Sequence, residues 1–392
     1  MTQSPSAPVL SPRDILEHLV GFPTVSQDSN LALVDWVEDY LGQHGIPAHR
    51  HWNEDRTKAA LFAHVGPWES GAVVLSGHTD VVPVKGQAWT SDPWTVIERD
   101  GRLYGRGTCD MKGFDALAIW ALVAASKRAL KTPLQIALSY DEEVGCTGAP
   151  PMIAAMQAVL PKGAAAVIGE PSRMKTITGH KGGTGYFVHV KGFEVHSSIL
   201  HKGVSAILEG ARLIGWINDQ NAANRAKTPG PLAMAFDPPW TTLHVGMING
   251  GTAHNITAAD CRFAAEMRVV PGEDMDTWAM AFEAEVRRIE ATMQAVRPEA
   301  AIHLERFFGV PPLVPETAGA AETLVRRLTG DNATGVVSYG TEAGQFQDAG
   351  YSAVVCGPGD IAQAHQADEF IELSEFLAGE TFMARLVDHL CQ

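Results

Sequence analysis

At 392 residues the chain is too long for one simple core, so two domains are the default expectation. The composition, 45% hydrophobic and 19% charged, is that of a soluble globular protein. A net charge of −15 argues against nucleic acid or an anionic membrane as partner, because either would need a basic face. No apolar run approaches the roughly 20 residues of a bilayer span. The opening MTQSPSAPVLSPRD carries no secretory pattern, so the expected compartment is the cytoplasm. Five cysteines (Cys109, Cys146, Cys261, Cys356, Cys391) are an odd number without CxxC spacing. They predict neither a disulfide framework nor a thiolate zinc site, but buried small residues.

Residues 1–10 read as a loose arm. Ser11-Pro12 is a helix start, cap followed by proline, and a helix runs through DILEHLV. A second covers Leu31–Gln43. AALFAHVG and AVVLSG then read as short apolar strands. From there a pattern recurs. AVVLSG ends at His78-Thr79-Asp80, LQIALSY at Asp141-Glu142-Glu143, and AAAVIG at Glu170-Pro171. Late in the chain SAVVCGPGD leads to His365 and Asp368-Glu369. Helical stretches, FDALAIWALVAASKRAL and PPMIAAMQAVL, lie between. Apolar strands alternating with helices predict an α/β fold: a mostly parallel mixed sheet with helices on both faces. Ligands in such sheets bind outside the carboxyl ends of the strands, which gathers these polar residues at one edge.

Residues 180–308 read differently. YFVHVKG, a mostly helical HSSILHKGVSAILEGARLIGWI, TTLHVGMING, DCRFAAEMRVV, a helix from Met275, and AIHLERFF give the order β-α-β-β-α-β of a ferredoxin-like unit. The expected organisation is a catalytic domain in two parts, 1–179 and 309–392, with an inserted ferredoxin-like domain at 180–308. GHKGGTG, at the first junction, suits an interdomain hinge or an anion-binding nest.

The polar set carries the chemistry. His78, Asp110, Glu143, Glu170 and His365 are two imidazoles and three carboxylates. That exceeds the three protein ligands usual for one catalytic zinc, and suits two divalent ions about 3.5–4 Å apart. Alone, Asp110 in the glycine-rich GRGTCDMKG would be a turn residue or a cap. With four strand-end partners it becomes the carboxylate that can bridge both ions. Nitrogen and oxygen donors point to zinc, cobalt or manganese. Asp80 is placed to orient His78. With Glu143 as ligand, Glu142 is free to take a proton from an activated water. GxSxG and GxxxxGK[ST] are absent, and GRGTCD lacks the third glycine of a dinucleotide fingerprint.

SGHTDVVP, YGRGTCDMKG, SYDEEVGCTGA, IGEPS and AHQADEF resemble, in order and spacing, the motifs of the two-metal deacylase and peptidase family. The segment YGTEAGQF…CGPGDIAQAHQADEFIE is most similar to its acetylornithine deacetylase branch. The resemblance implies two ions, zinc first, with His78 and Glu170 on one, Glu143 and His365 on the other, and Asp110 bridging. It implies Glu142 as general base, Asp80 supporting His78, and a homodimer formed through the inserted domain. His196 in FEVHSS resembles a family histidine that stabilises the oxyanion, often from the partner subunit. Asn255 and Arg268 match positions that bind a substrate carboxylate, and Glu342 is assigned to a substrate amine. Two departures stand out: EMRVVPG has Met where the family often has Asp before the arginine, and FEVHSS lacks the usual glycine before its histidine. The implied activity is removal of an acyl group, acetyl first, from the α-nitrogen of a small-molecule N-acyl amino acid, with N-acetylornithine in arginine biosynthesis foremost. The rivals are a metallo-exopeptidase or desuccinylase with the same metal site, and a non-catalytic binding protein on this scaffold.

Overall fold

A computed structural model describes residues 8–333 and 335–392. Residues 1–7, most of the expected N-terminal arm, lie outside them. The chain divides into two compact units. One is Met1–Gly179 with Pro315–Gly335 and Thr341–Gln392, and the other is His180–Val314 with Val336–Gly340. Each has its own apolar core.

The first unit is organised by the large sheet. Its main strands are β1 (Ala48–Trp52), β2 (Ala59–Val65), β3 (Ala72–His78), β4 (Leu134–Ser139), β5 (Gly163–Pro171) and β6 (Ser352–Gly357). They lie in the order β1-β2-β4-β3-β5-β6, and two short strands, Ile177–His180 and Gly335–Val337, follow β6. The pairs β4/β3, β3/β5 and β5/β6 are parallel, while β1/β2 and β2/β4 are antiparallel. β2, β3 and β4 are buried along their whole length. That is why they read as unbroken apolar runs rather than alternating ones. Helix Lys112–Ser126 is buried nearly all round, since it packs on the sheet and also against Pro12–Val20 and Leu373–Leu390. It stops at Ser126, short of the predicted KRAL, because those residues turn out to the surface.

Among the elements not anticipated are the two short strands after β6, the helices Ala343–Asp348 and Leu373–Leu390, the edge strand β1, and a small antiparallel sheet of Ile97–Arg99, Arg102–Tyr104 and Phe370–Glu372. This small sheet ties the segment before Asp110 to the segment after His365, with Tyr104 opposite Phe370.

The second unit has the predicted β-α-β-β-α-β order. Four antiparallel strands stand in the order Thr242–Gly250, Asp260–Val269, Gly182–Lys191, Ala301–Val310. Strand Asp260–Val269 alternates buried and exposed, with Cys261, Phe263, Ala265, Met267 and Val269 facing the core. Helices Ala206–Ala226 and Met275–Gln294 contribute to the same core. The segment between His196 and Ser205 is a 3-10 turn at Ser197–Lys202 rather than α-helix; the α-helix starts only after Ser205 caps it. GHKGGTG forms no anion nest. It is extended as the ends of two strands, and none of its glycines has positive φ.

Candidate metal centre

Each candidate ligand of the first unit is placed by the carboxyl end of a strand or by the loop beside it. His78 is the last residue of β3, and Glu170 is the penultimate residue of β5. Glu143 follows β4 after a turn in which Asp141 has φ 59°. Asp110 sits in the loop before helix Lys112–Ser126. Gly107 in that loop has φ 83°, a value that costs glycine nothing. His365 follows β6 and a short 3-10 turn, Ile361–Gln363.

These five side chains form two groups sharing one member: His78, Asp110 and Glu170, and Asp110, Glu143 and His365. Asp110 faces both. Its Oδ1 is 3.2 Å from His78 Nε2, and its Oδ2 is 3.2 Å from His365 Nε2. His78 Nε2 is 3.7 Å from Glu170 Oε1, and His365 Nε2 is 2.9 Å from Glu143 Oε2. Two divalent cations would find one imidazole and one carboxylate each, with Asp110 between them.

The chemistry of the set fits cations. Oε1 of Glu143 and Oε1 of Glu170 are buried with no hydrogen-bond partner, which is costly for carboxylates unless something positive meets them. Burial pushes Glu143 up to about 8, and the Asp110 charge adds to it. Glu170 is raised well above its usual range by burial and by Asp110 and Glu142. For Asp110 burial acts upward too, but its hydrogen bonds to His365 and His78 outweigh it and hold the group below the carboxylate range. The same bonds, to Asp110 first and Glu143 second, push His365 up to about 10. Raised carboxyls beside a raised imidazole are what a donor set that favours positive charge produces.

Asp80 supports the centre in a way its sequence position did not show. The His78 Nδ1 partner is the Asp80 main-chain carbonyl at 2.9 Å, while the Asp80 carboxylate is 3.5 Å away. That carboxylate instead accepts the backbone N–H groups of Glu142 and Glu143, and the Ser26 hydroxyl at 2.7 Å. Glu142 itself accepts the Cys146 thiol at 3.2 Å, and burial raises its carboxyl above the usual range. Burial keeps the thiol protonated, and so a donor. Asp141 is occupied by Lys58, at 2.5 Å.

The residues assigned to substrate divide between the units. Glu342 belongs to the first. It is 1% exposed and accepts the Ser139 hydroxyl. Burial pushes it up to about 8, with Glu142 adding to the shift. His196, Asn255 and Arg268 belong to the second. There the Ser197 N–H donates to the Asn255 carbonyl at 2.8 Å, which sets His196 and Asn255 on adjoining segments, both exposed. Arg268 is half-buried, 3.4 Å from Glu266 and over the Phe308 ring.

Sequence reasoning missed Cys146 as a partner of Glu142, although it lies in the same motif. It noted Glu369 beside His365 without a role. Glu369 Oε1 accepts the backbone N–H groups of Gly107, Cys109 and Asp110 at 3.0–3.1 Å, which fixes the loop that aims the shared carboxylate.

Mixed sheet, inserted α+β unit and paired His/carboxylate groups sharing one aspartate define a two-domain metallohydrolase. Residues 74–389 match the model of peptidase family M20/M25/M40, and the chain belongs to that family. It is 36% identical over 393 residues to an acetylornithine deacetylase of Myxococcus xanthus, covering 97% of each chain. It is 32% identical to another of Proteus mirabilis, covering 96% of each. Among solved structures it resembles a family M20 metallo-carboxypeptidase of Sulfolobus solfataricus (TM-score 0.78, 14% identity, 97% of this chain and 99% of that one). It also resembles a tripeptidase of Staphylococcus aureus (TM-score 0.73, 16% identity, 98% and 100%). At these identities the structural likeness speaks for the fold. No helix among the described residues is long and apolar enough to cross a membrane.

Proposed function

We propose that the chain hydrolyses the amide bond of an N-acyl amino acid, with N-acetylornithine as the first substrate to test. The reading draws on the acetylornithine deacetylases to which the chain is similar over nearly its whole length. The observation that carries it is the placement of Asp110, one carboxylate with an oxygen toward each of two imidazole/carboxylate groups. His78 and Glu170 would hold one divalent ion, Glu143 and His365 the other, and Asp110 both; the donor set suits zinc, cobalt or manganese, and zinc is the first to test. Ions bound there would polarise the scissile carbonyl and lower the pKa of the attacking water.

The rest falls to side chains. Glu142 takes the proton of the attacking water and returns it to the leaving amine. The Cys146 thiol fixes one oxygen of that carboxyl, and Asp80 holds its backbone, so the base meets the reaction already oriented. His196 would stabilise the oxyanion, from the partner subunit if the second unit mediates a homodimer. Arg268 and Asn255 would take the substrate carboxylate, which a guanidinium fork suits. Glu342, buried on Ser139, would face a substrate amine, whose positive charge would favour the ionised carboxylate over the neutral form that burial favours. A cytoplasmic location belongs to the same reading.

The test is a hydrolysis screen of N-acetyl, N-formyl and N-succinyl amino acids against dipeptides, with zinc, cobalt or manganese added. Turnover of N-acetylornithine above the others is expected. Preference for dipeptides would move the assignment to a peptidase, and no turnover of any amide would leave a binding protein.

A further inference from the structure

Four of the five candidate ligands have little freedom. His78 and Glu170 end buried strands, Glu143 hangs from the turn that Asp80 holds, and the Asp110 loop is clamped by Glu369. His365 is different. It stands in the open segment between Ile361–Gln363 and Phe370–Glu372, with φ 63°, and its side chain is 52% exposed. No strand aims it.

Two ties reach this segment from a loop that holds none of the ligand motifs. Gln87 Nε2 donates to the His365 carbonyl at 2.9 Å, and the Thr90 N–H donates to Asp368 Oδ1 at 2.8 Å. The other end of the Gln87 amide is also used: its Oε1 accepts Arg106 Nη2 at 2.6 Å and Trp89 Nε1 at 3.0 Å. Arg106 is fully buried, and its Nη1 donates to Glu369 Oε2 at 2.5 Å. Glu369 Oε1 then accepts the Asp110 N–H at 3.1 Å. A continuous run of hydrogen bonds therefore leads from the backbone of Asp110 through Glu369, Arg106 and Gln87 to the backbone of His365.

We infer that Gln87 is a positioning residue that, with Arg106 and Glu369, holds His365 in register with Asp110, so that the ion position of Asp110, Glu143 and His365 depends on it. The inference rests on the two-ion reading above. It is selective, because Gln87 meets His365 directly, whereas the His78 ring is oriented by the Asp80 carbonyl, Glu170 ends β5, and the Asp110 loop has its own three hydrogen bonds to Glu369.

Metal-free protein titrated with Co(II), followed by visible absorbance and calorimetry, tests it. The binding step that disappears in His365→Ala marks the position concerned. Gln87→Ala is expected to weaken that step on the order of 10-fold, as loss of support behind a ligand does. The other step should not move; any fall in the melting of the metal-free chain comes from the Arg106 donor left unpaired, which the next variant spares. Gln87→Glu keeps the acceptor for Arg106 and Trp89 but loses the donor to His365, and should weaken the same step. Wild-type affinity in either variant, or equal weakening of both steps, overturns the inference and leaves the two-ion reading standing. A wild-type chain with fewer than two steps removes that reading and the inference together.

Discussion

Replacing Gly169 by alanine tests whether the sheet itself sets the ligand positions. Gly169 precedes Glu170 in β5, and a Cβ there would stand 1.9 Å from Phe114 Cγ and 2.1 and 2.3 Å from the two Cδ atoms. The backbone at Gly169 is not left-handed, so the penalty is wholly steric. Phe114 is 1% exposed and begins the helix that follows the Asp110 loop. The clash meets the root of the ring rather than a free end, so rotation does not relieve it. Overpacking a filled core costs about 1–3 kcal/mol, and contacts this short belong at the upper end. Relief requires the sheet and the helix to part, which draws Glu170 away from Asp110. The alanine variant is therefore expected to lose about 3 kcal/mol in the first unit, and at least ~10-fold in affinity at the His78/Asp110/Glu170 position, about 1.4 kcal/mol. Urea unfolding of the metal-free chain by circular dichroism gives the first quantity. Metal content after dialysis against limiting zinc gives the second. The transition of the second unit serves as an internal control. A variant with the wild-type midpoint and two ions per chain would refute the reasoning.

Three further outcomes are expected. Glu142→Ala should keep two ions per chain by elemental analysis and lose roughly 100- to 10,000-fold in turnover; normal turnover would remove Glu142 as the base. Asp110→Ala should lose ions from both positions, because each uses one of its oxygens; a variant with one position still full would count against bridging. Chelation should lower the melting of the protein, and restoring free ion to about 1,000 times its Kd should return about 4 kcal/mol for each position filled. Superimposable calorimetric traces with and without chelator would contradict this.

The strands that carry His78, Glu143 and Glu170 were legible because β3, β4 and β5 are covered on both faces and leave continuous apolar runs. The ligands were legible as a chemical set, since two imidazoles and three carboxylates at successive strand ends have few other uses. Edge strand β1 was not legible. AHRHW has no apolar run, being only partly buried throughout. Gln87, Arg106 and Glu369 were illegible for another reason. Gln87 and Glu369 act on backbone N–H and carbonyl groups, which every residue offers, and Arg106 acts through those two side chains, so no pattern of residue types marks them. Cys146 was hidden by its class, because buried cysteines are usually inert packing and most of the others here are buried too.

The register of two adjacent strands explains why His78 and Glu142, the proposed ligand and base, lie on linked segments. β3 and β4 run parallel with His78 opposite Ser139. Glu142 and Glu143 then lie only three and four residues beyond the residue beside His78. Left extended, they would run out past the sheet. The left-handed Asp141 turns the chain back, Lys58 holds its carboxylate, and the returning N–H groups of Glu142 and Glu143 meet the carboxylate of Asp80, two residues after His78. The main chain of Asp80 orients the His78 imidazole while its side chain anchors the turn that bears Glu142. One residue therefore fixes the distance between the two motifs. His78 and Glu142 are thereby tied to each other through Asp80, so under the proposed reading a base set by this turn is also set relative to the ions.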